Sequence, residues 1–145
     1  KMDKKPLAPL DLLIIKDNCS ALSLRFGRLQ DQRRYDDLPA LMTPDGTYTR
    51  LGEKLPIAKF ISWVKEMPPN NTRHFVTATD FSEIGENIAK GITYYTLYLC
   101  DEDSPSPYPL DGPFVVGEYH EEFANIDGEW KIHSREARII FRKSK

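Results

Sequence analysis

The 145 residues amount to one domain, 1–145, and with 40% hydrophobic and 11% aromatic residues the chain can bury a real core, which excludes a disordered or fibrous protein. Twenty Lys and Arg nearly cancel 22 Asp and Glu, leaving a formal charge of -2 with no long run of like charge, so no nucleic-acid partner is expected. The longest apolar stretch, Leu12 to Ile15, is far too short to cross a bilayer, and charges stand where a signal peptide would have its apolar segment; no membrane partner and a soluble, cytoplasmic protein are expected.

Pro6 and Pro9 precede a long helical pattern that runs from Asp11 to about Gln32 with only Gly27 to interrupt it. On a helical wheel Ile15, Cys19, Leu22, Phe26 and Leu29 form one stripe. Leu13, Ser20, Leu24, Gly27 and Asp31 form a nearly opposite one, so both faces are expected to be covered. Tyr35 to Met42 reads as a second short helix, Thr43-Pro44-Asp45-Gly46 as a turn, and Thr47 to Arg50 as a short strand. Glu53 to Met67 has helical spacing and stops at Pro68-Pro69.

From Asn71 the period changes to two. One strand is predicted from Thr72 to Phe81 and a long one from Asn87 to Cys100. The proline-rich segment Asp101 to Pro113 reads as a long loop shaping access to a ligand site. Val115 to Asn125 and Glu129 to Phe141 then form a hairpin across Asp127-Gly128, a dipeptide suited to a type I′ turn. In the last strand the apolar residues are even-numbered at Trp130 and Ile132 but odd at Ala137, Ile139 and Phe141, a switch that a β-bulge near Ser134 to Glu136 would produce, turning Arg135 inward. The element order implies an α+β fold, three helices packed on one face of a strongly curved antiparallel sheet, with a ligand hollow between sheet and first helix.

The chemistry-bearing motifs are few. CxxC, HExxH, Walker and GxGxxG patterns are absent, so neither a metal nor a cofactor is expected; Cys19 and Cys100 are read as buried thiols. His120, His133 and Glu122 could share one face, but Lys131 and Glu129 mark that face as solvated. His74 alone could be a half-buried strand histidine, Asp31 a solvated helix-end charge, and Arg135 an edge residue paired with a neighbour such as His120.

Asp31 to Leu41, Thr43-Pro44-Asp45-Gly46, Leu51-Gly52, Thr72-Arg73-His74-Phe75 and Asp127-Gly128-Glu129-Trp130-Lys131-Ile132 with Arg135 after it resemble the SnoaL-like group of the nuclear transport factor 2 (NTF2) superfamily. That group includes scytalone dehydratases, hexachlorocyclohexane dehydrochlorinases, polyketide cyclases, ketosteroid isomerases and the small subunits of ring-hydroxylating dioxygenases. The resemblance implies a cone enclosing a blind apolar cavity, a homodimer, and a small hydrophobic or polycyclic organic ligand. It also implies roles: Asp31 orients His74, His74 takes a proton from substrate, and Arg135 stabilises the leaving group or developing anion. The dehydratases' second histidine is missing, for Tyr98-Leu99 stands in its place. Tyr48, Tyr94, Tyr98 and Tyr119, with Trp63, are the expected substrate-binding residues. The function expected is a cofactor-independent lyase or isomerase; the alternative is a non-catalytic ligand-binding cone or an accessory subunit.

Overall fold

A computed structural model describes residues 5–101, 103 and 105–144. Helix α1 spans Pro9–Asp31, its Pro in the first turn and Asp11 complementing the positive end of the helix dipole. It closes with a double hydrogen bond, Arg33 N–H to Gln30 C=O and Arg34 N–H to Leu29 C=O, which puts Arg33 in the left-handed region at φ 57°. Of the two stripes read from the sequence, the first is buried, with Leu22 only half so. The second is buried only at its C-terminal end; Leu13 and Leu24 are exposed.

A 3-10 helix, Tyr35–Leu41, leads into strand β1, Met42–Arg50. Thr43 to Gly46 is not a turn before the strand but an excursion within it. Met42 pairs with Ile132 and Thr47 with Ser134, so four residues of β1 bulge against one of the partner strand. Strand β2, Glu53–Pro56, occupies what the sequence suggests as the start of a helix. Pro56 is the reason: the residue before a proline is pushed into extended geometry, so residues 53–55 pair with β1 and helix α2 starts only at Ile57, running to Glu66.

The strand predicted from Thr72 to Phe81 is two strands, β3 (Asn71–Val76) and β4 (Asp80–Ile84), both paired with the same edge of β5 (Ile88–Cys100). Between them the Thr77 hydroxyl accepts from the Tyr94 N–H, and the Thr79 and Thr93 hydroxyls bond at 2.7 Å, so side chains take over where ladder bonds lapse. Strands β6 (Val115–Ile126) and β7 (Glu129–Arg142) form the expected hairpin, with Asp127 and Gly128 at φ 52° and 88°.

The described strands form a seven-stranded sheet in the order β2-β1-β7-β6-β5-β3, with β4 also on β5. All pairs are antiparallel except β1 with β7, which is parallel, so the sheet is mixed. On β7 the ladder skips His133 and Ile140, and these bulges help curl the sheet around the helices. The first lies one residue before the stretch read from the sequence and makes the expected phase switch: Trp130 and Ile132 face inward before it, Arg135 and Ala137 after it. Phe26, Leu29, Tyr48, Phe60, Phe123 and Ile132 form the centre of the core.

Candidate functional site

The inner surface of the sheet and the helices enclose a cavity of about 750 Å³, within the range of sites for ring-sized organic ligands. Its buried lining includes Tyr48 from β1, Tyr95 from β5, Tyr119 from β6 and Phe60 from α2, with His74 of β3 beside them. The described residues of the loop 101–113 contribute nothing to the lining, so the access role read from the sequence is not seen there. Within that segment Asp111 pairs with the lining residue Lys143.

Asp31 is the last residue of α1, and its carboxylate accepts three hydrogen bonds from β3: from the Thr72 hydroxyl at 2.9 Å, the His74 amide at 2.9 Å and the His74 ring Nδ1 at 2.6 Å. A carboxylate can only accept, so Nδ1 carries a proton, and in the neutral ring Nε2 then keeps its lone pair; it makes no hydrogen bond to any described residue. The side chains of both residues are about nine-tenths buried. Burial alone would raise the Asp31 carboxyl, but the bonds from His74, and after them the one from Thr72, outweigh it and hold the group below its usual range. Gly27, one turn before the end of α1, explains how β3 comes this close. A Cβ there would stand 3.2 Å from the His74 Cβ.

Arg135 faces inward, as the phase switch requires, but it does not line the cavity. It is fully buried, with its guanidinium 3.6 Å over the Tyr119 ring and 4.5 Å from that of Phe26. Nη1 donates to Glu121 Oε2 at 3.1 Å and to the Ser23 hydroxyl at 3.2 Å. Glu121 Oε1 in turn accepts from Ser23 and Thr93, both at 2.8 Å. Arg135 therefore meets cavity contents through Tyr119 and not directly. His120, the partner suggested by the sequence, binds Glu118 on the outer face instead, at 2.9 Å.

The tyrosines divide by strand phase. Tyr48, Tyr95 and Tyr119 face the cavity, Tyr119 and Tyr95 stacked at 4.0 Å; burial pushes all three phenols up, so they remain protonated donors. Gly117 makes that stack possible, since a Cβ there would meet Tyr95 Cε1 at 2.6 Å. Tyr94 and Tyr98, expected to bind substrate, do not line the cavity. They lie on the opposite face of β5, Tyr94 exposed and Tyr98 edge-on to Phe75, because residues of even number on this strand point outward. Trp63 does line the cavity, covered by the Arg50 guanidinium at 3.4 Å.

Sequence reading passed over Ser23, Thr93, Glu121 and Gln30. Glu121 was within reach, being in phase with Tyr119 and Phe123. Gln30 lines the cavity with its Oε1 unpartnered. Nor is the cavity purely apolar as expected: Arg33, Arg50, Lys65, Arg142 and Lys143 all line it. His133 shares a 3.1 Å hydrogen bond with the Thr43 hydroxyl, and among the described residues no group of three or more His, Cys, Asp or Glu is placed to hold a metal ion. Both cysteines are free. Burial, and then the charge of Glu121, push the Cys19 thiol up to about 12, which leaves it inert.

Two measurements follow from these charges. Glu121→Ala leaves the Arg135 guanidinium buried without its counter-ion, so urea unfolding should show a loss of about 3–5 kcal/mol, and Glu121→Leu/Arg135→Met should lose less than that single change. Asp31, held below its unfolded value, contributes stability that is complete above about pH 4 and fades as pH falls through the lowered value. The difference in Tm between wild type and Asp31→Asn should therefore be widest near neutral pH and narrow toward about pH 3.

The comparisons agree with this architecture. The solved hexachlorocyclohexane dehydrochlorinase LinA type 2 superposes with a TM-score of 0.74 at 15% identity, covering 94% of this chain and 92% of its own. A scytalone dehydratase candidate from Novosphingobium aromaticivorans gives 0.73 at 16% identity over 91% and 88%. The beta subunit of a candidate aromatic-ring-hydroxylating dioxygenase from the same organism gives 0.74 at 13% over 91% and 93%. At such identities the likeness concerns the fold. No curated protein sequence matches. An NTF2-like protein with a cystatin-like fold from Novosphingobium aromaticivorans shares the fold, and the SnoaL-like domain family model matches residues 13–136, nearly the whole chain, so the chain belongs to the SnoaL-like family.

Proposed function

We propose that this protein is a cofactor-independent lyase or isomerase acting on a small, ring-sized organic molecule. The observation that carries the reading is the Asp31–His74 pair, joined at 2.6 Å, with the imidazole opening onto the cavity. His74 Nε2 takes a proton from a carbon beside a carbonyl or leaving group, and Asp31 is the positioning residue that fixes the ring's tautomer and stabilises the imidazolium. The electron pair of the broken C–H bond moves toward the carbonyl oxygen or expels the leaving group. The phenols of Tyr48, Tyr95 and Tyr119 stand ready to donate to the oxygen that gains charge. Arg135 acts one layer back, fixing the Tyr119 ring from behind. The dehydrochlorinase and dehydratase among the structural neighbours support an elimination.

A panel of ring compounds with an acidic C–H and a β-hydroxyl or β-halide tests the reading. On any substrate found, His74→Ala should lower turnover by about two to four orders of magnitude, the usual worth of a positioned general base. Asp31→Asn should cost nearly as much, and the double variant little more than His74→Ala, since residues acting as one unit are not additive. Full turnover in His74→Ala would overturn His74 as the base, and no turnover of any compound in the panel would instead fit a binding cone or accessory subunit.

The same reading extends to a cytoplasmic homodimer. Phe75 and Tyr94, 61% and 59% exposed, stand with Tyr98 on the outer face of β3 and β5 and offer an apolar surface for a second copy. Light scattering at micromolar concentration should give about twice 16.7 kDa, and Tyr94→Glu should shift it toward the monomer.

A further inference from the structure

The charge of the cavity lining runs against that of the chain. The protein carries a formal charge of -2, yet the lining holds Arg33, Arg50, Lys65, Arg142 and Lys143 and, among the described residues, no carboxylate. These five cations come from separate stretches: the end of α1, the end of β1, α2, and the end of β7 with the residue after it. Arg50 is half-buried and the other four are exposed, so they mark the mouth, whereas the tyrosines and Phe60 mark the interior.

Their present partners leave them available. Neither Arg50 nor Arg142 makes an ion pair among the described residues, and Arg50 lies flat on the Trp63 ring. Lys65 pairs with Asp36 and Lys143 with Asp111, but both aspartates are largely exposed, and such surface pairs hold their partners weakly. Arg33 donates to the Asn70 carbonyl. It does so from the left-handed region, where a side chain is strained and glycine is not. Asp31 and Glu121 are both outside the lining, and both are already engaged, Asp31 by three donors and Glu121 by Arg135, Ser23 and Thr93. Buried Gln30 adds a neutral polar group without a partner for its oxygen.

We propose that the cavity takes an organic anion: a planar ring body held among Tyr48, Phe60, Tyr95 and Tyr119, with a carboxylate or phosphate head at the mouth between Arg50 and Arg142. The planar forks of the two arginines suit either head group, and a convergent ring of one sign at a low-dielectric opening concentrates ligands of the other sign. For where the reacting carbon lies, this rests on the reading of His74 as a base; the binding of an anion does not.

The test is the affinity of three probes of one size: 2-naphthoate, 2-naphthyl phosphate and the uncharged 2-naphthamide, each titrated by calorimetry. At low salt at least one of the two anions should bind about tenfold or more tighter than the amide, and the tighter anion identifies the head group. The advantage should shrink at about 0.5 M salt, where charges at an open mouth are screened. In Arg50→Gln/Arg142→Gln it should fall to within about threefold, with amide affinity unchanged; if that variant folds poorly, Arg142→Glu at the exposed strand end should reduce the advantage alone. Equal affinity for amide and anions, or an advantage that survives both variants, would overturn the proposal. His74→Ala separates the two readings. Preserved preference for the anion with undiminished turnover sinks only the base, and lost turnover in a protein that binds the amide equally well sinks only the anion.

Discussion

One carboxylate ties the first helix to the sheet. Asp31 accepts every hydrogen bond that Thr72 and His74 aim at it, and in doing so it anchors the end of α1 to β3, the outermost strand of the sheet. Without that tie β3 would keep its ladder with β5 and its packing against α1 but lose its hydrogen bonds to the helix. In the neutral ring the same bonds leave His74 Nε2 with its lone pair free. Structural anchoring and preparation of a base are thus one arrangement, set by the fact that a carboxylate has no proton to give.

A second buried pair works in the opposite sense. Arg135 and Glu121 sit directly opposite each other on β7 and β6, and their charges cancel where no water reaches. Ser23 and Thr93 add further bonds to the pair, so the cluster links α1, β5, β6 and β7, while Arg135 Nε and Nη2 have no partner among the described residues. Cancelled charge inside and free charge at the mouth give the cavity its polarity. An anion drawn to the mouth meets protonated phenols further in, and beyond them a guanidinium already matched by Glu121.

What the sequence made legible was whatever is local. Period-two alternation located the strands, Asp127-Gly128 located the hairpin turn, and the change of phase between Ile132 and Ala137 located a bulge to within a residue. Asp31 and His74, 43 residues apart, came together only through the family resemblance, because nothing local announces a contact of that span. The break between β3 and β4 was hidden because Thr77, Ala78 and Thr79 are ordinary strand residues; hydroxyl bonds to β5, not a breaker residue, bend the chain there. The parallel pairing of β1 with β7 and the ring of cations share one cause. Both are assembled from distant segments, and each segment taken alone reads as an unremarkable strand end or helix face.

Two glycines show what keeps this site open in a fold that could have filled it. Gly27 weakens α1 by about 0.5–1 kcal/mol relative to alanine, and Gly117 does the same kind of harm to the interior of β6. Each is tolerated where a side chain would strike the site: the Cβ of His74 in one case, the ring of Tyr95 in the other. With Gly117 in place Tyr95 lies flat against Tyr119, and both rings press toward the sheet instead of crossing the cavity. With Gly27 in place His74 sits close enough to α1 for the short bond to Asp31. Local stability is given up at the two positions where bulk would either fill the cavity or part the pair, which is the pattern expected when a hollow and not a core is what the fold has to preserve.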